Sequence, residues 1–257
     1  MANRLDHVFK KLDQDGQVGV IPYLTVGHPS VEETIALVSE LVQSGAAAVE
    51  LGIPFSDPLA DGPTIQASSF LALNNGVTVE TCLEVCERIR GAGVTIPLIF
   101  MGSYNPIFSY GIEAFAQNAS RVGADAVIVP DLPVEESGNL RSALKRVELR
   151  LISMLAPTST LERIKLTCAV AEGFIYCVSV AGVTGVRKEM SSGLTDFLGL
   201  IRQNTDLPLA LGFGISEKEH IENVSQYVEA VVIGSKLIEV INSSSAHERV
   251  TNAGNFV

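Results

Sequence analysis

Glu50 stands inside an apolar run, Ala46-Ala47-Ala48-Val49-Glu50-Leu51-Gly52, and no Arg or Lys occurs there or in the segment that follows. A carboxylate buried without a partner is expensive. Its residue type and setting therefore suit a group that carries a proton, acting as acid and base. The next segment, Gly52-Ile53-Pro54-Phe55-Ser56-Asp57-Pro58-Leu59-Ala60-Asp61-Gly62-Pro63-Thr64, is dense in proline, glycine and aspartate. Such a composition predicts a shaped loop instead of regular structure. Asp57 reads as a turn cap. Asp61 shares the loop with Glu50 and offers a second carboxylate for general acid and base work.

Three glycine-bearing segments suit an anion. They are Val183-Thr184-Gly185-Val186-Arg187, Leu211-Gly212-Phe213-Gly214-Ile215-Ser216 and Ile233-Gly234-Ser235-Lys236. Each alone has an ordinary turn as its explanation. Together, at the ends of three successive strands and before a helix, they match how backbone N–H groups and a helix dipole hold phosphate.

These residues need a frame that brings strand ends together. Strands are predicted at 19–26, 47–51, 97–101, 126–129, 149–155, 173–178, 207–211 and 230–233. Helices are predicted at 4–12, 31–44, 79–90, 113–121, 135–145, 161–171 and 217–226. The strands are apolar almost throughout, as in a parallel sheet buried on both faces. Eight strand–helix units in 257 residues predict an α/β fold, a single closed (β/α)8 TIM barrel with an extra N-terminal helix. An open doubly wound sheet is disfavoured, because the first strand runs into Thr25-Val26-Gly27-His28-Pro29 and lacks the GxGxxG turn. No linker divides the chain, so residues 1–257 are read as one domain, with a polar tail at 243–257 that is frayed. In such barrels the strand C-termini carry the chemistry, which is where Glu50 and the glycines fall.

Hydrophobic residues make up 47% of the chain and charged residues 18%, enough apolar material for a large core. The net charge of -11 argues against nucleic acid as a partner. It leaves room for a small phosphorylated ligand held by backbone groups. Cys82, Cys86, Cys168 and Cys177 form no CxxC pair, and His7, His28, His220 and His247 are scattered. They suggest no metal site. Ser179 and Ser235 have no neighbouring His for nucleophilic catalysis. The charged start of the chain is no signal peptide, and no apolar run is long enough for a membrane span. A cytoplasmic protein is expected. Tyr176 and Phe213 read locally as core aromatics.

The motifs also match a family. The segments Pro22 to Pro29, Glu50 to Pro58, Asp61 to Gln66, Met101-Gly102-Ser103-Tyr104-Asn105-Pro106, Pro130 to Ser137, Ala156-Pro157-Thr158, Gly182-Val183-Thr184-Gly185 and Gly212 to Ser216 resemble, in order, the signatures of the tryptophan synthase α subunits. The resemblance runs from about residue 5 to 240. It implies retro-aldol cleavage of indole-3-glycerol phosphate to indole and glyceraldehyde 3-phosphate. By that likeness Glu50 is the general acid/base, Asp61 accepts the indole N–H, and Tyr176 helps to orient the substrate. Gly185, Gly214, Gly234 and Ser235 would hold the phosphate, while Tyr23, Met101 and Phe213 line the indole pocket. Thr184 belongs to a lid whose closure completes the site. The lid departs from some members in having Val180-Ala181 where they have Arg-Ser.

The resemblance further implies a β subunit partner that carries pyridoxal phosphate, in an α-β-β-α heterotetramer. This chain itself is expected to hold no cofactor. Pro54, Asp57, Pro58, Asn105, Phe108, Pro133 and Glu135 fall in the segments that resemble the docking surface. Rival readings are a stand-alone lyase releasing indole, a different phosphate-binding barrel, and a non-catalytic activator of a β subunit. Glu50 and Asp61 argue against the last two.

Overall fold

The computed structural model describes residues 3–179, 192–212, 221–222 and 224–257. Eight parallel strands close on themselves in chain order: β1 (Gly19–Thr25), β2 (Val49–Gly52), β3 (Leu98–Met101), β4 (Ala126–Ile128), β5 (Arg150–Leu155), β6 (Ile175–Val178), β7 (Leu209–Gly212) and β8 (Ala230–Ile233). The described helices are α1 (Arg4–Asp15), α2 (Val31–Gln43), α3 (Pro63–Asn74), α4 (Val79–Gly91), α5 (Tyr104–Tyr110), α6 (Ile112–Arg121), α7 (Gly138–Arg146), α8 (Leu161–Val170), α9 (Ser192–Arg202), α10 (Ser235–Ser243) and α11 (Arg249–Phe256). The closed barrel is as expected, and every predicted strand is present.

Side chains alternate across each strand, and the apolar ones divide into two cores. Ile21, Tyr23, Ala48, Ile99, Met101, Ala126, Ile128, Ile152, Tyr176, Ala210, Ala230 and Val232 fill the interior. Their neighbours in sequence, such as Leu24, Val49, Leu51, Phe100, Val127, Cys177 and Leu211, pack outward against the helices. Burial on both faces is why these strands read as continuous apolar runs. Glu50 has the parity of Ala48 and registers with Tyr23 on one side and Ile99 on the other. It is an inward residue of the barrel.

The N-terminal helix plugs the floor. Leu5 and Phe9 join the interior core, with the Phe9 and Phe174 rings 5.2 Å apart. The floor is also tied by two similar clamps. Buried Asp125 accepts the Leu98 N–H at 2.9 Å and pairs with Arg90 at 2.7 Å and Arg4 at 3.0 Å. Across the barrel, Glu229 accepts the Leu209 N–H at 2.7 Å and pairs with Arg202 at 2.8 Å. In both, a carboxylate just before one strand holds the start of the previous one.

Two expectations are corrected. The segment from Gly52 to Thr64 is not loop throughout, since α3 begins at Pro63, and proline is compatible with the first helical turn because its missing N–H would have no partner there. The tail at 243–257 is not frayed: residues 249–256 form α11, which lies against α2. Arg249 bonds Glu33 and the Ile241 carbonyl, and a Cβ on Gly254 would meet the Glu40 side chain at 2.7 Å. Small residues there permit close helix approach. Cys82 and Cys86 are buried on the inner face of α4, as small apolar fillers.

Candidate active site

β1 and β2 build the centre as a square of inward residues. Tyr23 registers with Glu50, and Thr25 registers with Gly52. The Tyr23 ring leans along the diagonal, so that a Cβ on Gly52 would fall on its hydroxyl. β6 and β7 repeat the device. Tyr176 registers with Ala210 and Val178 with Gly212, and a Cβ on Gly212 would fall on the Tyr176 hydroxyl. Two tyrosines thus enter the barrel from separate strand pairs, each admitted by the glycine one step up the next strand. Met101, in register with Gly52, adds an apolar wall.

Glu50 is wholly buried, and neither carboxylate oxygen has a hydrogen-bond partner. Among the described residues no cation pairs with it. Loss of hydration raises its pKa to about 8, because burial disfavours the charged form. At neutral pH the folded protein therefore holds a protonated acid in the barrel interior, between Tyr23 and Ile99. Burial also raises both tyrosine pKa values, with the charges of Glu50 and Asp61 adding to the effect. The four groups share one electrostatic neighbourhood.

Asp61 closes the shaped loop at the mouth. Its N–H bonds the Pro58 carbonyl at 3.0 Å, and its carbonyl accepts Gln66 Nε2 at 2.8 Å. Its own carboxyl is half-buried, with its pKa raised to about 6 by burial first and by the charge of Asp131 second. Asp131 is fixed in turn, accepting the Tyr104 N–H at 2.8 Å. The two catalytic candidates therefore differ in pKa by environment, one protonated and one ionised near pH 7, a pairing that suits acid/base work.

At the end of β8, Gly234 is the N-cap of α10 and Ser235 its first residue. A Cβ on Gly234 would lie 3.6 Å from both Ile65 Cδ1 and Tyr23 Cβ. The helix start, whose first N–H groups have no partner within the helix, thus opens beside Tyr23. Thr184, Gly185, Phe213 and Gly214 lie outside the described residues. Of the expected docking residues, Asp57, Asn105, Phe108 and Glu135 are exposed, Pro58 and Pro133 partly so, and Pro54 is buried. Leu59, beside them, is 93% exposed. Among the described residues no three His, Cys, Asp or Glu side chains converge to hold a metal, and no helix is long and apolar enough to cross a membrane.

Three residues of this site are assigned no role of their own from the sequence. Thr25 and Ser68 are buried hydroxyls in contact, and Asp131 acts on Asp61 from another loop. Only the fold brings them there.

A closed (β/α)8 barrel with two carboxyls of raised pKa and a helix N-terminus at its C-terminal mouth has the layout of a barrel enzyme. The comparisons narrow this. A family model described as tryptophan synthase alpha chain matches residues 9–255. The tryptophan synthase alpha chain of Chloroflexus aggregans is 43% identical, over 99% of this chain and 96% of its own. The crystal structure of the tryptophan synthase alpha chain from Legionella pneumophila superposes with a TM-score of 0.87 at 32% identity, covering 100% of this chain and 95% of the other. A chain of ligand-free tryptophan synthase from Mycobacterium tuberculosis gives 0.89 at 30% identity, covering 99% and 96%. The chain belongs to the tryptophan synthase alpha chain family, and its work lies in tryptophan synthesis.

Proposed function

We propose that the chain cleaves indole-3-glycerol phosphate to indole and glyceraldehyde 3-phosphate by a retro-aldol reaction. The observation that carries this is Glu50: a wholly buried carboxyl with both oxygens unpaired and a pKa near neutrality. Protonated Glu50 delivers its proton to indole C3, which places positive charge on the ring. The bond from C3 to the first glycerol carbon then breaks, and its electrons restore the indole. The hydroxyl on that carbon loses its proton to the Glu50 carboxylate and becomes the aldehyde. Protons balance, and one residue serves as acid and then base.

Asp61, ionised at neutral pH, accepts the indole N–H and steadies the developing charge, an effect worth a few kcal/mol in comparable sites. Tyr176 orients the substrate, with Tyr23 and Met101 bounding the ring and Gly234 and Ser235 at the phosphate. A pyridoxal-phosphate-bearing β subunit takes the indole, in an α-β-β-α complex of the cytoplasm. It docks on the mouth around Asp57, Pro58, Asn105, Phe108 and Glu135, where Leu59 and Phe108 expose apolar surface.

Indole release by the purified chain, alone and with a β subunit, tests this alongside Glu50→Gln and Asp61→Asn. Weak activity alone, a large rise with the partner and loss in both variants is the expected result. Undiminished cleavage by Glu50→Gln overturns the mechanism, and full activity without the partner favours a stand-alone lyase.

A further inference from the structure

Behind Tyr23 runs a line of hydroxyls that leaves the barrel. Thr25 Oγ1 donates to the Tyr23 hydroxyl at 3.4 Å, and lies 2.6 Å from Ser68 Oγ. Ser68 Oγ lies 2.8 Å from the Ile65 carbonyl in the first turn of α3. Thr25 and Ser68 are each 1% exposed, so water does not compete for either. Ile65 packs in the interior core with Tyr23 and sits beside Gly234. The line therefore ties the tyrosine next to Glu50 to the helix that follows the Asp61 loop.

Counting protons gives this line two settings. Three hydroxyls own three protons. In one setting Thr25 donates to Ser68 and Ser68 to the Ile65 carbonyl, and the Tyr23 hydroxyl receives no proton from Thr25. In the other Ser68 donates to Thr25 and Thr25 to Tyr23, which occupies one lone pair of the Tyr23 oxygen. The 2.6 Å contact admits either donor. Tyr23 is thus held by a donated proton in one setting and released in the other, beside a carboxyl that must itself change from acid to base.

We infer that Thr25 and Ser68 are positioning residues for the cleavage, the proton that Thr25 donates holding the Tyr23 ring over Gly52 beside the reacting groups. The inference deepens the proposed reaction and rests on it. A packing role for Ser68 alone would act on α3 and not through Tyr23.

A double-mutant cycle separates the two. Ser68→Ala is expected to lower kcat/KM about fivefold, the loss of roughly one neutral hydrogen bond. In a Tyr23→Phe background the same change is expected to have no further effect, and Ser68→Thr to retain activity. Equal fold losses in both backgrounds would overturn the inference. A second readout needs no turnover and a milder variant, Thr25→Ser, guards against misfolding. With ζ-13C-labelled tyrosine, the Tyr23 resonance, assigned by Tyr23→Phe, should move in Ser68→Ala and return in Ser68→Thr, with Thr25→Ser close to wild type. If the wild type cleaves no substrate while this resonance responds, the reaction assigned above fails and the hydroxyl line stands. A resonance that ignores Ser68→Ala in an active enzyme overturns the line itself.

Discussion

The Tyr23 hydroxyl occupies the space that a side chain at Gly52 would need. Tyr23 and Glu50 are direct neighbours across β1 and β2, and Gly52 lies two residues beyond Glu50. The ring can lean up the barrel only because that position is bare. Tyr176 and Gly212 stand in the same relation across β6 and β7.

Gly52→Ala is therefore expected to displace the tyrosine and not merely to crowd the core. Overpacking of this kind costs about 1–3 kcal/mol, so the melting temperature should fall, and kcat/KM with it. Tyr23→Ala removes the clash, so the double variant should lose less stability than the sum of the two single ones. Thermal unfolding of the four proteins measures this, and strict additivity would break the argument.

Glu50 gives a stability prediction with a definite sign. Its pKa is raised from 4.5 to about 8 by burial. Below the unfolded value the carboxyl is protonated in both states and adds no penalty. As pH rises through 4.5 the unfolded chain ionises while the folded one stays protonated, so the wild type loses stability steadily until pH passes about 8. Glu50→Gln has no such proton to give up. Its advantage over the wild type should be absent near pH 4 and should grow to a few kcal/mol by pH 9. Urea unfolding across that range reads it directly, and a constant difference would show that desolvation of Glu50 is not the cause.

Much of this is legible in the sequence alone. A carboxylate in the run Ala46 to Gly52 is conspicuous because its neighbours are apolar, and parallel strands buried on both faces announce themselves by unbroken apolar stretches. The helix α3 was hidden because Gly62 and Pro63 look like loop punctuation, although they are its N-cap and first residue. The helix α11 was hidden because its buried residues are Ala253 and Gly254, which carry little hydrophobic signal. Thr25 and Ser68 lie 43 positions apart, and neither is unusual where it stands. Only the packing of α3 against β1 makes them neighbours. Thr184, Gly185, Phe213 and Gly214 keep the standing that the sequence alone gave them.

The two raised carboxyl pKa values set the pH profile. Cleavage as proposed needs Asp61 ionised and Glu50 protonated. In the free enzyme kcat/KM should then rise through about pH 6 and fall through about pH 8. Asp131 contributes to the acid limb through its charge, and among the described residues its side-chain bond is to the Tyr104 N–H and not to Glu50, Tyr23 or Tyr176. Asp131→Asn should move the acid limb to lower pH and leave the alkaline limb in place. A shift of both limbs together would mean that the carboxyls titrate as one coupled unit.

Stability of the floor should be separable from chemistry at the mouth, as barrels divide those roles between their two ends. Asp125 is buried at the floor, where it holds Arg90, Arg4 and the Leu98 N–H. Arg90 is itself largely buried and gives three further bonds to the carbonyls of Gly123, Val94 and Ile96. It stays in place when its carboxylate is neutralised. Asp125→Asn therefore leaves a fixed guanidinium without its counter-charge, a change that costs about 3–5 kcal/mol when one partner of a buried pair is removed. Arg4 is half-exposed and can turn to water, which places the expected loss at the lower end, about 3 kcal/mol. The Leu98 N–H can still bond the amide oxygen of Asn, so the strand register should survive. Denaturant unfolding should show the full loss at pH 7, while kcat and KM measured on the folded enzyme stay within about twofold of wild type, since no group at the mouth is touched. A matching loss of kcat would show that the floor clamp reaches the catalytic carboxyls.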